Sequence, residues 1–115
     1  MKTSEISVGN NDYDLAVHVT TPVSAKTPVL VYLTQRGQGK IGSYVYTIGR
    51  GTETYSSILQ QGEDAGVDDL ATNLGRVILK RFGCPSYVCM SGCFMPYEYG
   101  ELSRQVVAAC NEAVA

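Results

Sequence analysis

DDLATNLGRVILKRFGCPSYVCMS, residues Asp68 to Ser91, reads as a helix, a stop and a strand in succession, and the fold class turns on it. Leu70, Leu74, Val77 and Ile78 recur along one helical face, and Asp68 and Asp69 sit where carboxylates favour the start of a helix. Arg76, Lys80 and Arg81 load the closing turns with positive charge, Gly83 can leave the helix left-handed, and Pro85 forbids its resumption. The apolar run Tyr87 to Met90 then predicts a short strand within Ser86 to Ser91.

Upstream of this stretch the pattern changes to strands, because β-branched and aromatic residues alternate with polar ones between regularly spaced turn residues. Five are predicted there. Ile6–Val8 and Tyr13–Thr20 flank the turn Gly9-Asn10-Asn11-Asp12, which has hairpin chemistry. Pro28–Thr34 and Ile41–Ile48 flank the glycine-rich Gln35 to Lys40 and read as a second hairpin; Tyr55–Leu59 is the fifth strand. After the acidic loop Gln60 to Gly66, the helix and the strand Ser86–Ser91, a second helix closes the chain. Pro96 stands near its start, and Leu102, Val106, Ala109, Cys110 and Ala113 form its core-facing stripe. No internal repeat, low-complexity tract or long linker interrupts residues 1–115, so one domain is expected.

The predicted fold is therefore α+β: about six strands in a mainly antiparallel sheet, with two helices packed on one face. Two helices cover only one face of such a sheet. Yet PVLVYL (Pro28–Leu33) and YVYTI (Tyr44–Ile48) are apolar on both alternating faces. With the hairpin loop centred near Gln38, Tyr32 lies opposite Tyr44 and Leu30 opposite Tyr46, an aromatic patch on one face. Either this patch meets the helices and Val31, Leu33 and Val45 look outward, or the reverse holds. One apolar face is left over in both cases, and such a face usually marks an interaction site, so dimerisation through it is expected. The competing expectation is that the loops Thr20–Thr27 and Arg50–Thr54 fold over the sheet.

Composition narrows the function. A net charge of -2, with nine scattered basic residues, gives no electrostatic footprint for nucleic acid and no polybasic membrane patch. The N-terminal MKTSEISVGNND lacks the apolar core of a secretory signal, and no run approaches the ~20 residues that span a bilayer. The expectation is an intracellular protein, cytoplasmic and in part nuclear, with its cysteines free.

Motifs that suggest chemistry do not survive their context. Gly37, Gly39 and Gly42 form a literal G-x-G-x-x-G, but a strand pattern follows instead of the helix whose N-terminus would face a pyrophosphate. Gly39-Lys40 is not a phosphate loop either, since Ile41 replaces the Ser or Thr and Thr34 the first glycine. Cys84, Cys89, Cys93 and Cys110 are separated by four, three and sixteen residues, and His18 is the single imidazole, so no metal site is expected. Cys89 and Cys110 read as small core residues, Cys84 and Cys93 as partly exposed. His18 shares a polar strand face with Asp14, Ala16 and Thr20. The acidic group Glu63, Asp64, Asp68 and Asp69 reads as a solvated helix start. No catalytic, cofactor-binding or metal-binding residues are expected. The alternatives are a homodimeric adaptor of another pathway and a thiol-based small-molecule enzyme using Cys84 or Cys93.

Residues Val67 to Ser91, with Pro96 and the terminal helix, resemble the fungal members of the proteasome assembly chaperone 3 and 4 families. The helix ending in RFGCPSYV is similar to the corresponding junction of chaperone 4, and PVLVYLTQRGQGKIGSYVYTIGR is similar to the paired central strands of both families; its LTQ-then-glycine pattern also resembles chaperone 3. The resemblance to chaperone 4 is the closer. It implies a non-enzymatic protein that pairs with its paralogue, chaperone 3, with sheets face to face and helices outside. It further implies that the pair binds an α subunit of the 20S proteasome, chiefly the fifth, during assembly of the α ring. On this reading Leu30, Tyr32, Tyr44 and Tyr46 lie in the heterodimer interface, and the charged loop residues Arg36, Lys40, Arg50, Glu63 and Asp64 are the candidate α-subunit contacts.

Overall fold

The computed structural model describes residues 2–9, 11–19, 27–36, 42–50, 53–61, 65–92, 94 and 96–114. In chain order these form β1 (Lys2–Val8), β2 (Asn11–His18), β3 (Val29–Gln35), β4 (Ser43–Arg50), β5 (Glu53–Gln60), α1 (Ala65–Phe82), β6 (Ser86–Ser91) and, after a 3-10 turn at Pro96–Glu98, α2 (Tyr99–Val114). All six predicted strands and both helices are present. The β1–β2 hairpin is tighter than expected: Val8 pairs with Asn11, and Gly9 supplies the positive φ of 61° that the turn needs.

The strands form one sheet in the order β1-β2-β3-β6-β4-β5. The predicted second hairpin is therefore corrected: β3 and β4 do not pair, because β6 lies between them, parallel to β3 and antiparallel to β4. SYVCMS is the most enclosed strand of the sheet, and a strand apolar on both faces gains most from a central place. The glycine-rich connection from Arg36 to Gly42 permits the exchange. Skipping one strand means crossing about 10 Å, and a segment of this length extends roughly twice as far. Nor is there a long loop at Arg50–Thr54, since Arg50 already pairs with Glu53. The segment 20–26 lies outside the described residues.

α1 ends as its residues predict. Gly83, at φ 68°, donates its N–H to the Leu79 carbonyl at 2.8 Å, the single bond of a left-handed helix cap. Val29 then donates to the Pro85 carbonyl at 2.9 Å, so the helix stop delivers the chain directly into the β3–β6 pairing. α1 lies over β4 and β6, and α2 over β1 and β2. Both cover the same face, packing Leu70, Leu74, Ile78, Leu102, Val106 and Cys110 onto Val31, Leu33, Val45, Val88, Leu15 and Val17 in one core. α1 lies tight against β4 at Gly75, where an added Cβ would stand 2.3 Å from Thr47 Oγ1. Thr47 Oγ1 is itself hydrogen-bonded to Ser56 Oγ at 3.0 Å.

The start of α2 is tied to the first hairpin. Asn11 Nδ2 donates to the buried Glu98 carboxylate at 3.1 Å, and Tyr13 stacks on Phe94 with ring centroids 5.3 Å apart. Cys84, expected to be partly exposed, is instead a core residue, 1% accessible, with its thiol directed at the Phe82 carbonyl 3.4 Å away. Cys93 lies outside the described residues.

Candidate interaction surface

With Val31, Leu33 and Val45 turned toward the helices, period-two alternation sends Leu30, Tyr32, Tyr44 and Tyr46 to the opposite face. The alternative left open by the sequence is thus decided. Because β6 is inserted, the four residues meet through it: Tyr32 and Tyr44 flank Cys89, while Leu30 and Tyr46 flank Tyr87. Tyr87 ties the aromatic group together, its ring lying 4.6 Å from that of Tyr46 and meeting Tyr44 edge-on at 6.0 Å. Ile48 and Tyr55, paired across β4 and β5, extend the patch to the edge strand, and the Tyr55 hydroxyl donates to the Glu53 carboxylate. Tyr32, Ile48 and Tyr55 are all exposed large apolar side chains.

Cys89 corrects a sequence expectation. Its neighbours Val88 and Met90 are core residues, so alternation puts Cys89 outside the core and into the aromatic face. It is nonetheless only 6% accessible, sheltered in the row between Tyr32 and Tyr44. Burial raises the pKa of its thiol. The Tyr44 phenol is raised too, first by desolvation and then by Tyr32, Cys89 and Tyr87 close by. A thiol protonated well above neutral pH is a poor nucleophile, and the buried Cys84 offers no access to a substrate. His18 is on this same face, beside Leu30. Among the described residues no group of three or more His, Cys, Asp and Glu side chains is placed to hold a metal ion.

The face changes character along its strands. Beyond the aromatic rows come Asp14, Thr34 and Ser91, with Ser91 Oγ 3.4 Å from Thr34 Oγ1. At the small side chain of Ala16 an open depression of about 430 Å³ lies among Thr3, Glu5, Asp14, Tyr32 and Thr34. Arg36 closes this end, its guanidinium 3.3 Å from Glu5, 3.8 Å from Asp12 and 3.6 Å from Asp14. These half-exposed pairs contribute little stability in water, about 1 kcal/mol or less each. They do hold Arg36 against its own sheet.

The two charged candidates whose backbone is described, Arg36 and Arg50, lie at opposite ends of the sheet. Arg36 and Gly42, which bracket the segment containing Lys40, share one end of the sheet with Gln61, which follows β5. Arg50 ends β4 at the opposite end. Lys40, Glu63 and Asp64 themselves, and the side chain of Arg50, lie outside the described residues. The sequence reading missed Tyr87, Cys89, Ile48 and Tyr55 as members of the face. The alternation signal for Tyr87 was available, but its use required β6 to be central.

No curated protein sequence matches this chain significantly. Its fold is similar to that of a chain in the crystal structure of a novel chaperone complex for yeast 20S proteasome assembly, with a TM-score of 0.74 over 99% of this chain and 98% of that one, at 15% identity. The model of the family described as 20S proteasome chaperone assembly proteins 3 and 4 matches residues 1–104, a span holding all six strands, α1 and the start of α2. This protein belongs to that family of 20S proteasome chaperone assembly proteins.

Proposed function

We propose that the chain is a non-enzymatic assembly chaperone that pairs with a paralogous chaperone 3 subunit through its uncovered sheet face, and that the pair binds a proteasome α subunit, the fifth, while the α ring forms. The observation that carries this reading is the aromatic face itself: Leu30, Tyr32, Tyr44, Tyr46 and Tyr87 on adjoining central strands, with no helix over them among the described residues. Six strands about 4.8 Å apart, each presenting some seven residues at about 3.3 Å, make a flat face of roughly 650 Å². Side-chain relief brings that toward the ~800 Å² per partner of a stable interface. A second sheet stacked at about 10 Å would bury the tyrosines in its centre and leave Arg36, Glu5 and Asp14 at a polar rim.

Binding of this kind needs no reaction. The chaperone covers surface that would otherwise mispair, then leaves when later subunits compete for it. For the α subunit we assign Arg36, at one end of the sheet, Arg50, which ends β4 at the other, and the charged residues Lys40, Glu63 and Asp64 as contacts. The sites of action are the cytoplasm and the nucleus.

The test is affinity purification of the tagged chain from its own cells, read by mass spectrometry. A paralogue together with free α subunits is the expected recovery. In parallel, Tyr32→Ser with Tyr44→Ser should abolish copurification of the paralogue. Unchanged pairing removes the face assignment, recovery of neither partner ends the chaperone reading, and a homodimer indifferent to the paralogue supports an adaptor instead.

A further inference from the structure

We propose that the groove between α1 and α2, on the side of the molecule opposite the aromatic face, docks an acidic polypeptide segment carrying an apolar anchor side chain. The groove holds about 300 Å³, with Val77 and Val107 among its lining and Ser103, Ala108 and Asn111 completing the α2 side. That is the small end of the range for binding clefts, about 300–1,000 Å³, and suits one anchoring side chain.

Its rim is cationic. Arg81 and Arg104 line it, and Lys80 and Arg76 stand exposed further round the outer side of α1. Four of the chain's nine basic residues are thus gathered on two helices of a protein whose net charge is -2. Arg104 is paired with Glu101. Among the described residues Arg76, Lys80 and Arg81 have no carboxylate partner. Asp69 lies about two helical turns from Arg76 and about three from Arg81, and Glu112 does not line the groove.

The helix dipole accounts for Lys80 and Arg81 in the last turn of α1, but not for Arg76, which precedes that turn, nor for the half-buried Val77 beside the 9% accessible Val107 along the groove. Arg81 at the groove, with Lys80 and Arg76 further round α1 and none of the three paired with a carboxylate among the described residues, matches a short run of carboxylates around a leucine-like side chain. A nucleic acid would use the cations and gain nothing from Val77 and Val107. The groove and the aromatic face lie on opposite sides of the sheet, so both can be occupied together, and this proposal does not depend on the pairing reading.

The probe is the fluorescein-labelled peptide EDELEDLEE, titrated with the full chain and followed by fluorescence anisotropy. Saturable binding is expected, weakened roughly tenfold or more by Ala108→Glu and by Arg81→Glu, both at exposed positions, and left unchanged by Tyr32→Ser. A peptide with serine in place of both leucines should bind at least about tenfold more weakly. Thermal melts confirm that each variant is folded; should Ala108→Glu fail to fold, Arg81→Glu and the peptide comparison decide. Absence of saturable binding overturns the proposal. So does equal binding of the leucine-free peptide or of oligothymidylate, which would reduce the groove to a general polyanion surface.

Discussion

Replacing Tyr32 by serine should weaken pairing with the paralogue roughly twentyfold while leaving the monomer folded. Tyr32 is 37% exposed in the isolated chain. With about 200 Å² for a tyrosine side chain, roughly 75 Å² remains to be covered by a partner. At about 25 cal/mol per Å² that area is worth close to 2 kcal/mol of association, or a factor near twenty in Kd. The control is Tyr97→Ser, the same chemical change at a residue that is 82% exposed on the 3-10 turn before α2, away from the sheet face. Area alone would make Tyr97 the more damaging site; position on the face makes it neutral. The assay is surface plasmon resonance of each variant against the immobilised paralogue, with thermal melts to track folding. Equal losses for the two variants, or a larger loss for Tyr97→Ser, would refute the assignment of the face.

Three further outcomes follow from the geometry. Gly75→Ala should destabilise the chain by about 1–3 kcal/mol although alanine is the better helix former, because the new methyl would stand 2.3 Å from Thr47 Oγ1 and 2.9 Å from its Cβ; a melting temperature at or above the wild-type value would show that α1 can lift off β4 freely. Burial raises the Cys110 thiol from 9.0 to about 11, so above pH 9 the unfolded chain releases a proton that the folded chain retains. Its contribution to stability is complete below pH 9 and is lost as pH rises through about 11, by up to about 2–3 kcal/mol. Urea melts should fall less steeply across that window in Cys110→Ala, and parallel slopes would count against it. Finally, Tyr44→Ala should open the row around Cys89 and speed its alkylation by a thiol reagent, whereas pairing with the paralogue should slow it in the wild type; equal rates in all three samples would separate Cys89 from the face.

What the sequence made legible follows from which features are local. The cap at Gly83, the stop at Pro85, the stripe Leu102-Val106-Cys110 and the two-faced apolarity of β3 and β4 all depend on residues within one or two turns or strand periods of each other. Strand order does not. The hairpin reading of β3 and β4 was the economical one for adjacent segments, and nothing within either segment says that β6, reached only through β5 and α1, will displace that pairing. The displacement becomes favourable only when Ser86–Ser91 competes for the middle of the sheet with both of its faces apolar.

The inserted strand explains why Leu30, Tyr32, Tyr44 and Tyr46 share one face although β3 and β4 do not pair. Placing β6 between β3 and β4 moves the two strands apart by one lateral step of about 4.8 Å but changes neither the row nor the face of a residue. Tyr32 and Tyr44 still share a row, now with Cys89 between them, and Leu30 and Tyr46 share the next through Tyr87. A slip of one residue along either strand would instead have exchanged its faces and sent the tyrosines into the core. The same parity argument runs through β6 itself: once Val88 and Met90 face the helices, Cys89 cannot, and Tyr87 must join the aromatic rows. Arg36 shows the opposite limit. Its carboxylate partners Glu5, Asp12 and Asp14 come from the first hairpin, so its engagement depended on β2 lying beside β3, a pairing across residues 19–28 that no local pattern announces.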